Sequence, residues 1–166
     1  MRRAFTLLEL LAVVVILGIL ASVIVPRLTS ATVQAREVSL AEALRTVRGQ
    51  ILLFESQHGG RRAGVPAAAP TGPATEDEFV AHMTRVSDVA GRTAAAGTEG
   101  YPFGPYLPAI PVNPVNGKNT IQIVADDAPL PQEGDNSHGW LYQAGARTFR
   151  SDAPGSDAVG QPYVEY

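Results

Sequence analysis

The chain has 166 residues, with 13 Lys and Arg against 16 Asp and Glu and a formal net charge of −3. It contains no cysteine, which excludes a disulfide-stapled scaffold and leaves packing, a bound ion or assembly contacts to hold the fold. Three histidines with no HExxH and no Gly-x-Ser-x-Gly give no recognisable constellation for catalysis, and an acidic C-terminal portion argues against a nucleic-acid surface.

The chain opens on a short basic stretch, Met1-Arg2-Arg3-Ala4, followed by Phe5-Thr6-Leu7-Leu8-Glu9-Leu10 and an apolar run to Val25, closed by Pro26. From Leu10 to Val25 no residue is charged and Ser22 is the one polar side chain. The segment from Phe5 to Val25 is long enough, at about 1.5 Å per residue, to cross a bilayer core of about 30 Å. It is too long for the apolar part of a secretory signal peptide, and no Ala-x-Ala site precedes a mature domain, so a membrane anchor is expected. Arg2 and Arg3 place the leader on the cytoplasmic side and the C-terminal bulk outside the cytoplasm. Glu9 is the anomaly, because a carboxylate in the apolar layer costs about 2.5–3.5 kcal/mol and is normally paired or functional.

The stretch Ala4-Phe5-Thr6-Leu7-Leu8-Glu9-Leu10 resembles the processing signal of type IV pilins and of type II secretion pseudopilins, with Ala4 where the family usually has glycine. The resemblance implies cleavage between Ala4 and Phe5 by a prepilin peptidase, with N-methylation of Phe5. Glu9 then matches the family's acid near the start of the mature chain, and Pro26 a proline common at the end of the apolar segment. Cleavage would place a new α-amino group one helical turn from Glu9. In a filament core, the Glu9 carboxylate of one subunit can neutralise the Phe5 amine of a neighbour and set axial register. The alternative is that Glu9 reaches the membrane interface from its place near the end of the span.

Residues 28–54 read as an amphipathic continuation of the same helix. Leu28, Ala31, Ala35 and Val38 form one apolar stripe, and Leu40, Leu44, Val47, Ile51 and Phe54 continue on a shifted one, expected to pack on the sheet of the soluble head. Pro26 should kink or open the helix without ending it, and His58-Gly59-Gly60 should stop it. The soluble part then amounts to about 110 residues, one modest domain.

Residues 59–74 read as a Gly-, Pro- and Ala-rich connector. Thr75 with Glu78 forms a capping-box pattern, and Phe79, Val80, Met83 and Val86 predict a short helix reaching Val89, with His82 at the surface or its boundary. Residues 91–100 read as another small-residue loop. The proline-rich stretch from Gly104 to Pro114 predicts a folded loop. Three strands follow, at Thr120–Val124, Gly139–Tyr142 and Arg147–Arg150, expected as a small antiparallel meander. Gly-Pro-Tyr-Leu, the Pro-Val-Asn-Pro segment and Gly-Trp-Leu-Tyr, between Phe103 and Asp152, resemble the head of major pseudopilins of the protein G type.

Two loops supply hard oxygen ligands. Asp126, Asp127, Glu133 and Asp135, with Asn136 and Ser137, form one cluster, and Ser151, Asp152, Ser156 and Asp157 a second. The resemblance implies calcium beside the C-terminal sheet, with the first cluster preferred, although the spacing matches no EF-hand.

The expectation is an α+β, pilin-like subunit. It has a leader at 1–4, a transmembrane and filament-core helix at 5–25, an amphipathic continuation at 26–58, and a periplasmic head at 59–166 built on a small antiparallel β-sheet. The resemblance implies a non-enzymatic role in a type II secretion pseudopilus, with self, prepilin peptidase, an inner-membrane assembly platform, minor pseudopilins and the membrane as partners, and no nucleic acid. The alternatives are a type IV pilus subunit and a membrane-anchored periplasmic binding or enzymatic domain.

Overall fold

The computed structural model describes residues 7–166, with side chains throughout that range except at 23–31. The chain divides into two compact units, 1–36 and Glu37–Tyr166. One helix, α1 (Leu7–Gln57), contributes to both, and its backbone continues through Pro26. It stops as expected. Gly59 and Gly60 take positive φ of 64° and 84°, where a side chain would be strained, and the Gly60 N–H closes back on the Glu55 carbonyl at 2.7 Å.

The second unit adds α2 (Glu76–Thr84), β1 (Val86–Ser87), β2 (Thr93–Ala94), β3 (Ile121–Ile123), β4 (Trp140–Gln143), β5 (Thr148–Ser151) and a 3₁₀ turn at Tyr163–Glu165. The Thr75 hydroxyl caps α2 by accepting the Glu78 N–H at 3.3 Å. This helix ends at Thr84, short of the expected Val89. Ser87 instead exchanges backbone hydrogen bonds with Phe103, and Val86–Ser87 pairs antiparallel with Thr93–Ala94 inside the predicted loop. Non-local partners here outweigh the local helical periodicity.

The C-terminal sheet has the order β3-β4-β5, and it corrects the antiparallel meander. β4 and β5 are antiparallel, but β3 runs parallel to β4, pairing Ile121 with Trp140 and Ile123 with Tyr142. The reason is the length of the acidic loop. Residues 124–139 are enough chain to carry the backbone to the starting edge, as a parallel pair requires and a tight hairpin cannot do. All four residues of β4 are buried, as befits a central strand covered on both faces.

On one face of β4, Trp140 and Tyr142 join a core with Phe149, Phe79, Met83 and the α1 stripe Leu40, Leu44, Val47, Ile51 and Phe54. On the other, Leu141 packs with Val124 and Val164. The expected docking of α1 on its own sheet is therefore present, through the second stripe. Val38, placed on the first stripe by periodicity, is 66% exposed, and Ala35 is exposed too. The side chains of Leu28 and Ala31 lie outside the described ones.

The proline-rich loop is tied to the sheet by one buried amide. Asn113 Nδ2 donates to the Gly139 carbonyl and to Ser151 Oγ, both at 2.8 Å, while Trp140 Nε1 donates to the Pro111 carbonyl at 2.8 Å. Gly139 must be glycine, because a Cβ there would collide with the Lys118 carbonyl oxygen.

Gly49 is different: it sits mid-helix on an exposed face, and an added Cβ would meet nothing within 4 Å. Replacing it with alanine is expected to stabilise the protein by about 0.5–1 kcal/mol, seen as a melting temperature raised by a few degrees. A fall would mean that the helix needs the backbone freedom of glycine there.

Candidate functional site

The first unit presents a helix whose side chains, among the described residues of that unit, are left uncovered. Between Leu7 and Ser22, every residue is exposed. Leu7 is 90% and Ile19 62% accessible, and residues on all sides of the helix are apolar. Ser22, the one polar side chain of the run beyond Glu9, turns its hydroxyl onto the Ile19 carbonyl at 2.7 Å and so presents little polarity outward. A helix that is apolar all round needs lipid or other chains around it. Among the described residues no helix is long and apolar enough to cross a membrane. The apolar run in the sequence, from Phe5 to Val25, also includes residues 5–6, outside the described ones, and residues 23–25, whose side chains are outside them.

Glu9 lies in the first turn of α1, where the helix dipole favours a negative charge. Ala4 and Phe5, the expected cleavage and methylation positions, lie outside the described residues, as does the side chain of Pro26.

The carboxylates expected to bind calcium do not gather. Asp126 Oδ1 accepts the Gly145 N–H at 2.6 Å, and its Oδ2 is bonded to the Arg62 guanidinium. Asp127 and Glu133 are exposed, and Asp135 Oδ1 accepts the Ser137 N–H at 2.8 Å. Bonds from the Ser137 hydroxyl and N–H hold the Asp135 carboxyl below the usual carboxylate range. In the second cluster, Asp157 accepts the Tyr166 hydroxyl at 2.6 Å and the Val159 and Gln161 N–H groups. The Tyr166 bond holds Asp157 low and pushes the tyrosine up to about 12. Ser156 is exposed and makes an isolated bridge with Pro162, while Ser151 is buried against Asn113. Among the described residues, no three acidic or histidine side chains converge on one point.

His58 and His82 are buried in the fold, and His82 corrects the surface expectation: it is completely buried. Its Nδ1 accepts the Gly64 N–H and its Nε2 donates to the Gly91 carbonyl, both at 3.0 Å, which defines the neutral tautomer. Burial pushes its pKa down to about 4. The Glu78 carboxylate 3.6 Å away therefore faces a neutral ring, and no ion pair forms. Phe54 stacks between His58, at 4.0 Å, and His82, at 4.6 Å. His58 is bonded to the Phe54 carbonyl and to Ser87 Oγ.

Sequence reasoning also missed a charge pair. Glu55 on α1 is buried and held by Arg147 at 2.9 Å, with burial raising its pKa against the pull of Arg147 and Arg62. No motif could have joined positions so far apart in the chain.

No curated protein and no solved structure shows a match to the chain. Residues 1–25 match the family described as the Prokaryotic N-terminal methylation motif. The match covers the basic lead-in, Phe5, Glu9 and the apolar run, so the N-terminus of this chain carries a prepilin-type methylation motif.

Proposed function

We propose that the protein is a structural subunit of a type II secretion pseudopilus. One observation carries the reading: within the methylation motif, Glu9 is the single charged residue of the apolar run from Phe5 to Val25, whose described side chains from Leu7 to Ser22 are all exposed, and it follows Phe5 by four residues in the sequence. A plain anchor needs hydrophobicity and has no use for that acid, which lowers its stability in the bilayer. A filament does use it, because packing helices side by side removes both the carboxylate and a neighbouring Phe5 amine from water and makes their pairing decisive.

In this reading the chain waits as a single-pass inner-membrane protein with its head in the periplasm. A prepilin peptidase cuts between Ala4 and Phe5 and methylates Phe5. The assembly platform and minor pseudopilins then bring copies together. Cohesion comes from apolar burial between segments 5–25, and register from Glu9. The absence of cysteine and the Gly-Trp-Leu-Tyr strand with its proline-rich partner loop favour the pseudopilus over a type IV pilus, whose subunits often close a C-terminal loop with a disulfide.

The N-terminal mass of the protein purified from native membranes tests the processing step. The expected chain begins at N-methylated Phe5, and one still beginning at Met1 would leave an anchored domain. Deleting the gene separates the two filament types. Loss of exoprotein secretion with normal surface pili is expected, and the reverse would assign a type IV pilus.

A further inference from the structure

We propose that the loop at residues 135–138 does not hold calcium, because the chain's own groups, with the Lys118 ammonium as the cation, already engage its oxygens. The Lys118 Nζ donates to the backbone carbonyls of Asn136 and Ser137. The next carbonyl, His138, accepts the Asn116 side-chain amide at 2.8 Å. Three successive carbonyl oxygens, the ligand type a calcium loop offers, are thus used by donors from one turn at residues 116–118.

The opposite side of the loop is matched by a carboxylate. Asp152 is 1% exposed, and its Oδ1 accepts the Asp135 N–H at 3.1 Å. Its Oδ2 accepts the His138 N–H at 2.8 Å and the Ser137 hydroxyl at 3.2 Å. The Asn136 N–H goes to the Asp152 carbonyl, and the Ser137 N–H to Asp135. Every backbone N–H from 135 to 138 therefore has a partner within the chain. Both oxygens of this buried carboxylate are thus engaged by donors of the loop itself, which offset its charge in place. The arrangement also fixes how the chain enters β4, since the loop ends at Gly139, whose N–H bonds the Thr120 carbonyl of the β3 edge. The head is therefore locked without calcium. This holds whichever filament the subunit enters.

The full-length protein in detergent supplies the test, with its single tryptophan, Trp140, as the reporter two residues beyond the loop. The wild-type melting temperature is expected to be the same in excess calcium chloride and in EGTA. Lys118→Met is expected to lower it by several degrees and to speed hydrogen exchange of the 135–138 amides roughly tenfold, while Lys118→Arg retains protection. A wild-type melting temperature that falls in EGTA would overturn the proposal, as would Lys118→Met leaving both melting and exchange unchanged. Should Lys118→Met fail to fold, calcium titration calorimetry on the wild type decides: no heat of binding is expected, and a stoichiometric site would refute the assignment.

Discussion

Replacing Glu9 with alanine is expected to abolish filament assembly while leaving the protein in the membrane. The two effects have opposite signs. Removing a carboxylate from the apolar segment relieves a penalty of about 2.5–3.5 kcal/mol, so insertion improves or stays the same. Removing it from a helix core deprives the neighbouring Phe5 ammonium of its counter-charge. Truncating one partner of a desolvated pair costs about 2–5 kcal/mol, much of it from leaving the other charge buried and unpaired. That is a loss of at least about thirtyfold in subunit association, repeated at each step of growth. Glu9→Gln should behave similarly, because it keeps the shape and loses the charge. The measurement is membrane fractionation alongside the yield of sheared filaments from the same cells. Normal filament yield from either variant would sink the register model, and loss from the membrane fraction would show that the acid serves insertion.

Acidification is expected to destabilise the head through His82. Its ring is buried, with one nitrogen accepting the Gly64 N–H, so a second proton would have to point at a donor. Folded His82 titrates at about 4, against an ordinary value of 6.5. Between these values the unfolded chain binds the proton and the folded chain does not, so stability rises with pH across this window. The contribution is present in full above pH 6.5 and is lost as the pH falls toward about 4. Its size is about 3 kcal/mol, a large part of a domain's usual stability. Arg61 and His58 add to the low value, while the bond to the Gly91 carbonyl opposes it. Glu55 works the other way, because burial raises its pKa and its folded form takes up a proton more readily in acid. The net slope is therefore shallower than His82 alone would produce. Urea melts at several pH values, read by Trp140 fluorescence, should show the fall. The ring resonances of His82 should stay those of neutral imidazole until the pH nears 4. Titration near 6.5 in the folded protein would mean that the ring is not buried in solution.

Much of the protein was legible from local pattern. Contiguous signals carried the N-terminal motif, the long helix, its stop at Gly59-Gly60, the Thr75 cap and the approximate places of β3, β4 and β5. These depend on neighbouring residues, and the backbone expresses them wherever the rest of the chain lies. The Leu40–Phe54 stripe also named its own buried face, because five apolar positions at three- and four-residue steps can point only one way.

Tertiary structure decided what depends on partners distant in the chain. Strand direction in β3–β4 follows from where loop 124–139 returns, which alternation within a strand cannot encode. The burial of His82 follows from Gly64 and Gly91 closing over it, and that of Glu55 from Arg147 arriving on the β4–β5 turn. The acidic loops read as candidate ion ligands from composition, which counts carboxylates without showing what they face. In the folded chain Asp126 meets Arg62 and Gly145, Asp135 meets Ser137, and Asp157 meets Tyr166. The sequence alone therefore determined the helix and the motif that marks its N-terminus. Only folding could determine the direction of the sheet and the pairing of its charges, because those free energies arise when distant residues leave water together.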